Sequence, residues 1–100
     1  MLVFEGGKLV AMGGLLKIDG KTAKSKRLRV HPEYQGRGLA KLVLTELEAS
    51  AKKLGFETIT ADCIKGNAQI TDLNLKMGFK MAGEQVFDGV LCTLFEKKLN

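Results

Sequence analysis

Apolar and polar residues alternate through the first third of the chain, and this pattern predicts three β-strands. The predicted strands are residues 2–5, 8–18 and 22–30. Gly6-Gly7 and Asp19-Gly20 separate them, and both dipeptides supply the positive φ angles that two-residue hairpin turns need. Pro32 ends the third strand because proline has no N–H for a sheet. We therefore expect the chain to open as an antiparallel meander.

From Leu39 onward the apolar period changes to that of an amphipathic helix. Its apolar positions are Leu39, Leu42, Val43, Leu47, Ala51 and Leu54. Gly55 is expected to end the helix, and Glu48 and Lys52 have the spacing of an i,i+4 ion pair on its polar side. The pattern predicts one long helix after the meander.

The second half of the chain predicts a strand, a helix and a final hairpin. The predicted elements are a strand at 56–64, a helix at 67–77 and strands at 80–87 and 90–99, with Asp88-Gly89 as the last turn. The order is β-β-β-α-β-α-β-β, an α/β (α+β) class with a mixed central sheet. A helix between the third and fourth strands favours a right-handed parallel crossover. We expect residues 1–100 to form a single domain.

The composition is that of an ordinary globular chain, with 45% hydrophobic and 27% charged residues among 100. No apolar run approaches the roughly 20 residues of a membrane span, and no leader peptide follows Met1, so we expect a cytoplasmic protein without a membrane partner. Cys63 and Cys92 lie far apart without metal-ligand spacing, which favours reduced thiols and no metal. The net charge of +5 suits an anionic ligand and equally an unremarkable basic surface.

The start of the long helix lacks a capping side chain, because the residues before it are Gln35-Gly36-Arg37-Gly38. Free N–H groups and the helix dipole bind phosphate, and glycines let a ligand approach the backbone closely. The spacing fits neither a Walker A loop nor the dinucleotide fingerprint, since Lys41 stands where the latter needs glycine. A phosphate site and a glycine-rich turn capped by water both remain open on spacing alone.

The string Gln35-x-x-Gly38-x-Ala40 resembles the pyrophosphate signature Q/R-x-x-G-x-G/A of the GNAT family of N-acetyltransferases. "RLRVHPEYQGRGLAKLVLTELEASAKKLG", "NAQITDLNLKMGF" and "VLCTLFEKKL" resemble the family's central strand, loop and helix, a later helical segment and the closing strand. The resemblance implies an acyl-CoA N-acyltransferase fold and direct transfer of an acetyl group from acetyl-CoA to an amine of a small molecule or peptide. It begins at the family's second strand, without the usual first strand and first two helices.

The resemblance also implies where acetyl-CoA would bind. The backbone amides of the loop and helix start would hold the pyrophosphate; these residues are Gln35, Gly36, Arg37, Gly38, Leu39 and Ala40. The pantetheine arm would pair with the backbone near Leu28 and Val30, and the N–H near Val30 would polarise the thioester carbonyl. Asn67 matches a position that often contacts the cofactor, and it also suits the N-cap of the second helix.

Two positions depart from the family's usual acid and base residues. Lys24 stands where many members have a glutamate base, and Asn74 stands where many have a tyrosine that protonates the leaving thiolate. Asparagine has no proton to give at neutral pH. Asp62 is a candidate base, with a solvated or turn role as the alternative. The catalytic residues are left unassigned, and an acyl-CoA sensor with the same fold remains the alternative to an enzyme.

Two further expectations concern partners. The basic cluster Lys24, Lys26, Arg27 and Arg29 lacks the interleaved aromatic residues that stack on bases, which argues against nucleic acid as a partner. Residues 2–5 and the apolar run at 9–16 would be poorly covered without the family's first elements, which predicts a homodimer.

Overall fold

A computed structural model describes residues 1–99, in which a six-stranded mixed sheet carries two α-helices on one face. The elements are β1 Leu2–Glu5, β2 Lys8–Lys17, β3 Thr22–Val30, α1 Leu39–Lys53, β4 Thr58–Ile64, α2 Ala68–Lys76, β5 Lys80–Phe87 and β6 Val90–Lys98. A 3-10 turn at Pro32–Tyr34 follows β3. The predicted order of strands and helices is confirmed, with boundaries that shift by at most two residues. Within residues 1–99, no helix is long and apolar enough to cross a membrane.

The strand order across the sheet is β1-β2-β3-β4-β6-β5. β3 and β4 run parallel, and every other neighbouring pair is antiparallel. The mixed sheet and the parallel crossover through α1 are therefore as predicted. β1 and β5 are the two edges, so the junction of β3 and β4 lies at the centre of the sheet.

Two of the three predicted turns have the expected geometry. Gly6 and Gly7, and likewise Asp88 and Gly89, adopt positive φ angles between 50° and 80°. The expectation for Asp19-Gly20 was wrong, because that turn is held by a side chain. The carboxylate of Asp19 accepts hydrogen bonds of 2.8 Å from the backbone N–H groups of the second and third residues after it. These two bonds favour the charged form and lower the pKa of Asp19 below its usual value.

The core lies on the face of the sheet that the helices cover. Alternate side chains of β4 point into it, and those residues are Ile59, Ala61 and Cys63, as the sequence pattern predicts. Apolar side chains of both α1 and α2 pack against them. Thr60 and Asp62 point to the opposite side, which we call the open face.

A partly buried ion pair joins α1, α2 and β6. Lys97 Nζ lies 3.0 Å from both carboxylate oxygens of Glu48 and 2.6 Å from the carbonyl oxygen of Met77. The i,i+4 spacing had suggested that Glu48 pairs with Lys52. It pairs instead with Lys97 of β6. The contact ties the C-terminal end of α2 to the middle of α1.

Gly13 lies where α1 packs closely on β2. A Cβ atom at this position would come 2.6 Å from Val43 Cγ1 and 3.1 Å from Leu47 Cδ1. We expect Gly13→Leu to lower the free energy of unfolding by about 1–3 kcal/mol, because overpacking displaces the helix. Gly14→Leu is the matched control, since a Cβ there meets no atom within 4 Å. Urea denaturation measures the free energy of unfolding of both variants. An equal loss of stability in the two would contradict the close packing of α1 on Gly13.

Candidate functional site

β3 and β4 diverge from each other at the centre of the sheet. Their pairing covers Thr22–Lys24 and Thr58–Thr60, and beyond it the strands separate around a cavity of about 560 Å³. We call this the inter-strand cavity. Its walls are formed by Lys24 to Arg29 on one side and by Ala61 to Ile64 on the other, with Asn67, Ile70 and Asn74 of the α2 segment behind them.

A β-bulge bends β3 at the point of divergence. Met12 pairs with Arg29 and Gly14 with Lys26, so two residues of β3 oppose the single Gly13. Arg27, one of those two residues, has a φ of 56° in the left-handed region. A bulge adds local twist and bends the strand that carries it, which helps β3 to leave β4. The sequence analysis missed this feature, because arginine is an unusual residue at positive φ.

The backbone N–H of Val30 points toward the divergence and away from β2. The neighbouring N–H, that of His31, donates to the Val10 carbonyl oxygen of β2 at 2.8 Å. Successive N–H groups of an extended strand point to opposite edges, so the Val30 N–H faces the other way. The exposed edge of β3 therefore offers backbone groups to an extended ligand.

The start of α1 has no capping side chain, as predicted. Its N-cap residue is Gly38, with a φ of 78°, and no side chain there bonds a backbone N–H. Gly36 has a φ of 80°. A cavity of about 480 Å³, the loop cavity, lies against this helix start. It is lined by Leu28, Arg29, Val30, Tyr34, Gln35, Gly36, Gly38, Leu39, Ala40, Lys41, Asn67, Gln69, Ile70 and Leu73.

The loop cavity and the inter-strand cavity lie next to each other. They share Leu28 and Arg29 of β3 and Asn67 and Ile70 of the α2 segment. Asn67 is the N-cap of α2, where its Oδ1 accepts from the Ile70 N–H at 3.1 Å. The two adjacent cavities, which we together call the channel, extend from the free amides of α1 to the gap between β3 and β4.

The side chain of Arg37 turns toward Tyr34 and β1. Its guanidinium carbon lies 4.7 Å from the centre of the Tyr34 ring, and a guanidinium nitrogen lies 3.9 Å from a carboxylate oxygen of Glu5. Lys8 approaches the same ring at 5.8 Å. The Tyr34 ring therefore contacts two cations, and the Arg37 side chain links the loop to Glu5 of β1.

Lys24 and Asp62 form an ion pair across the point where the strands separate. Their charged atoms are 2.6 Å apart, and the side chains are 18% and 28% exposed. The ammonium of Lys24 also lies 4.8 Å from the centre of the Phe87 ring. The sequence analysis named Lys24 and Asp62 separately but missed both their contact and Phe87, since the register of β3 against β4 is set by a long crossover.

Asn74 and the two cysteines complete the wall of the inter-strand cavity. Asn74 is 2% exposed. Cys63 and Cys92 are buried free thiols, and Cys63 Sγ lies 3.7 Å from the hydroxyl oxygen of Thr71. Among residues 1–99, no group of three or more His, Cys, Asp or Glu side chains is arranged to hold a metal ion.

Comparison with known proteins identifies relatives for most of the chain. Residues 1–79 match the family described as "Acetyltransferase (GNAT) family". Human N-acetyltransferase 8 is 31% identical over 87 residues, which are 80% of this chain. The chain spans 37% of the length of that human protein. YyaT from Bacillus subtilis is 27% identical over 101 residues, and the match covers 66% of its length.

Solved structures share the fold. An IAA acetyltransferase from Bacillus cereus superposes with a TM-score of 0.87 at 20% identity, covering 97% of this chain and 75% of that one. A GNAT family acetyltransferase from Elizabethkingia anophelis, with acetyl-CoA bound, gives a TM-score of 0.86 at 15% identity, covering 97% and 73%. The acyl-CoA N-acyltransferase fold predicted from the sequence is thereby confirmed.

Proposed function

The chain belongs to the GNAT acetyltransferase family, and from this membership we propose that it transfers an acetyl group from acetyl-CoA directly to an amine. The observation that carries the proposal is the pair of adjacent cavities that extend from the free amides of α1 to the gap between β3 and β4. The start of α1 suits a pyrophosphate, and the gap between β3 and β4 suits an extended pantetheine arm. The bound acetyl-CoA of the Elizabethkingia relative supports the same co-substrate here.

Each part of this channel has a proposed task. The amides from Gly36 to Ala40 bind the pyrophosphate, which the positive end of the helix dipole favours. The Gln35 N–H, also expected there from the sequence, already donates to the Pro32 carbonyl oxygen at 3.5 Å. The backbone of Leu28 and Val30 pairs with the pantetheine arm as an added strand. The Val30 N–H then donates to the thioester carbonyl oxygen, where negative charge develops as the amine attacks. Asn67 adds its side chain to the wall beside the cofactor.

The chemical step that we propose is a direct displacement. The neutral amine attacks the thioester carbonyl carbon and a C–N bond forms. The C–S bond breaks, the attacking nitrogen loses one proton and the thiolate takes up one. Positioning supplies a large share of the rate in such a reaction. Asp62 is the candidate base, but it already binds Lys24 at 2.6 Å, so the pair must open before the carboxylate accepts a proton.

A second candidate function is an acyl-CoA sensor. The observation that favours it is Asn74, a buried residue on the cavity wall that has no proton to donate to a leaving thiolate. In that function the channel would bind acetyl-CoA without turnover. Loss of chemistry with retention of binding distinguishes the sensor from the enzyme.

The test of the proposed function is thiol release from acetyl-CoA in the presence of a panel of primary amines. We expect release that depends on the amine and rises with pH, because the acceptor ammonium must lose a proton before it attacks. Calorimetry of acetyl-CoA binding accompanies the assay. Binding without release for every amine would support the sensor, and the absence of binding would contradict both functions.

We also propose a cytoplasmic homodimer. The two free thiols support a reducing compartment. Leu2 and Phe4 of the edge strand β1 are 58% and 59% exposed, and Leu16 of β2 is exposed as well. An edge strand with exposed apolar side chains favours association with a second copy. The competing state is a monomer whose edge is protected by the charges of Glu5 and Lys8.

Light scattering over a concentration series tests the assembly. We expect a mass near twice that of the chain at micromolar concentration, and a monomer mass for Phe4→Glu because a charge at the edge opposes pairing. Lys17→Glu, a change at an exposed position toward the end of β2, is the control. A monomer mass of the unaltered chain at high micromolar concentration would overturn the dimer.

A further inference from the structure

A groove of about 410 Å³ lies on the open face of the sheet, next to the inter-strand cavity. We call it the open-face groove; it is lined by Ile18, Thr22, Lys24, Thr60, Ala61, Asp62, Ala82, Gln85, Phe87, Leu94, Phe95 and Glu96. Four of these residues also line the inter-strand cavity, and they are Lys24, Ala61, Asp62 and Phe87. The ion pair and the Phe87 ring therefore form the boundary between the two spaces.

The ion pair stands on the route from the groove to the gap between the strands. Lys24 pairs in register with Thr60, which is the last paired position before β3 and β4 separate. Asp62 follows two residues later on the same face of β4. An acceptor that lies in the groove reaches the inter-strand cavity beside these two charges.

The charges restrict which acceptor is able to enter. A cationic amine that binds Asp62 would displace Lys24 and leave its ammonium, 18% exposed, without a counter-ion. An anionic ligand that binds Lys24 would leave the Asp62 carboxylate without a counter-ion. An unpaired, partly buried charge is costly. A ligand that carries both charges leaves neither group unpaired, because its ammonium binds the carboxylate and its own carboxylate binds the lysine.

On the premise of the acetyl transfer proposed above, we propose that the acceptor is a zwitterionic α-amino acid. Its ammonium binds Asp62, its carboxylate binds Lys24, and its side chain lies in the open-face groove. Ile18, Phe87 and Leu94 give that groove an apolar wall, so an apolar side chain fits it best. The exposed carboxylate of Glu96 in the groove lining further disfavours an acidic side chain.

Calorimetry with the full chain saturated with CoA tests this recognition without requiring turnover. The probes are leucine and leucinamide, which share the amine and the side chain and differ in the charged carboxylate. We expect leucine to bind at least tenfold more tightly. Lys24→Met is expected to abolish this preference, and Asp62→Asn is expected to weaken the binding of both probes. Lys17→Met is the matched control for loss of one positive charge, and urea midpoints verify that each variant is folded.

Thiol release with the same probes, together with isoamylamine, separates this inference from the acetyl transfer itself. Equal binding of leucine and leucinamide, no binding of leucine at millimolar concentration, or a leucine preference that survives in Lys24→Met would each overturn the inference. Release with all three amines at similar kcat/KM would overturn it and leave the acetyl transfer intact. Selective leucine binding without thiol release would support the recognition and contradict the transfer.

Discussion

Asn74→Tyr is expected to raise turnover about a hundredfold, the size of effect that a general acid typically supplies. The residue lies on the wall of the inter-strand cavity, where the thioester sulfur is proposed to lie, and the adjoining space of about 560 Å³ accepts an aromatic ring. A phenol at this position donates a proton to the departing thiolate, which asparagine does not. Thiol release at saturating acetyl-CoA and amine measures the gain.

Asn74→Phe is the matched control, because it has the same ring without the hydroxyl. We expect it to remain at or below the rate of the unaltered chain. Urea denaturation accompanies both variants, since the asparagine is buried and its replacement disturbs packing. Equal rates for the tyrosine and phenylalanine variants would show that departure of the thiolate needs no proton from this position.

Gly38→Glu is expected to weaken acetyl-CoA binding at least tenfold, or about 1.4 kcal/mol. Gly38 lines the loop cavity and a Cβ atom there meets no protein atom within 4 Å, so we expect the new side chain to occupy part of that cavity. There it excludes the pyrophosphate by bulk and by negative charge. Calorimetry with acetyl-CoA measures the affinity.

Gly55→Glu is the matched control for this second prediction. Gly55 follows the C-terminal end of α1 with a φ of 91°, and a Cβ there also meets no atom within 4 Å. Both variants therefore carry the same charge change and a similar backbone strain, but only one borders the loop cavity. Comparable affinities in the two variants would contradict the placement of the pyrophosphate at the start of α1.

The strands and helices were predicted almost completely because each depends on the residues of one short stretch of sequence. The period of the apolar residues distinguishes each strand from each helix, and the turns at Gly6-Gly7 and Asp88-Gly89 need a backbone geometry that glycine favours. The uncapped start of α1 is equally local, because a cap depends on a few consecutive residues. These features are determined by short stretches of sequence, and the structure has them where they were predicted.

The contacts that define the candidate site depend on positions far apart in the chain. Lys24 meets Asp62 only because the crossover through α1 brings β3 and β4 into one particular register. Glu48 has a suitable partner one helical turn away, yet it binds Lys97 of β6, where partial burial and the Met77 carbonyl strengthen the contact. No periodicity within a short stretch specifies such a partner.

By itself, the sequence determined the order of the elements, the two glycine turns and the free amides at the helix start, since each depends on neighbouring residues. Only the tertiary structure decided that the Val30 N–H faces the channel, that α1 approaches Gly13 closely, and that an ion pair lies between the inter-strand cavity and the open-face groove. These outcomes depend on strand register and helix packing, which arise when distant segments bury their apolar faces together.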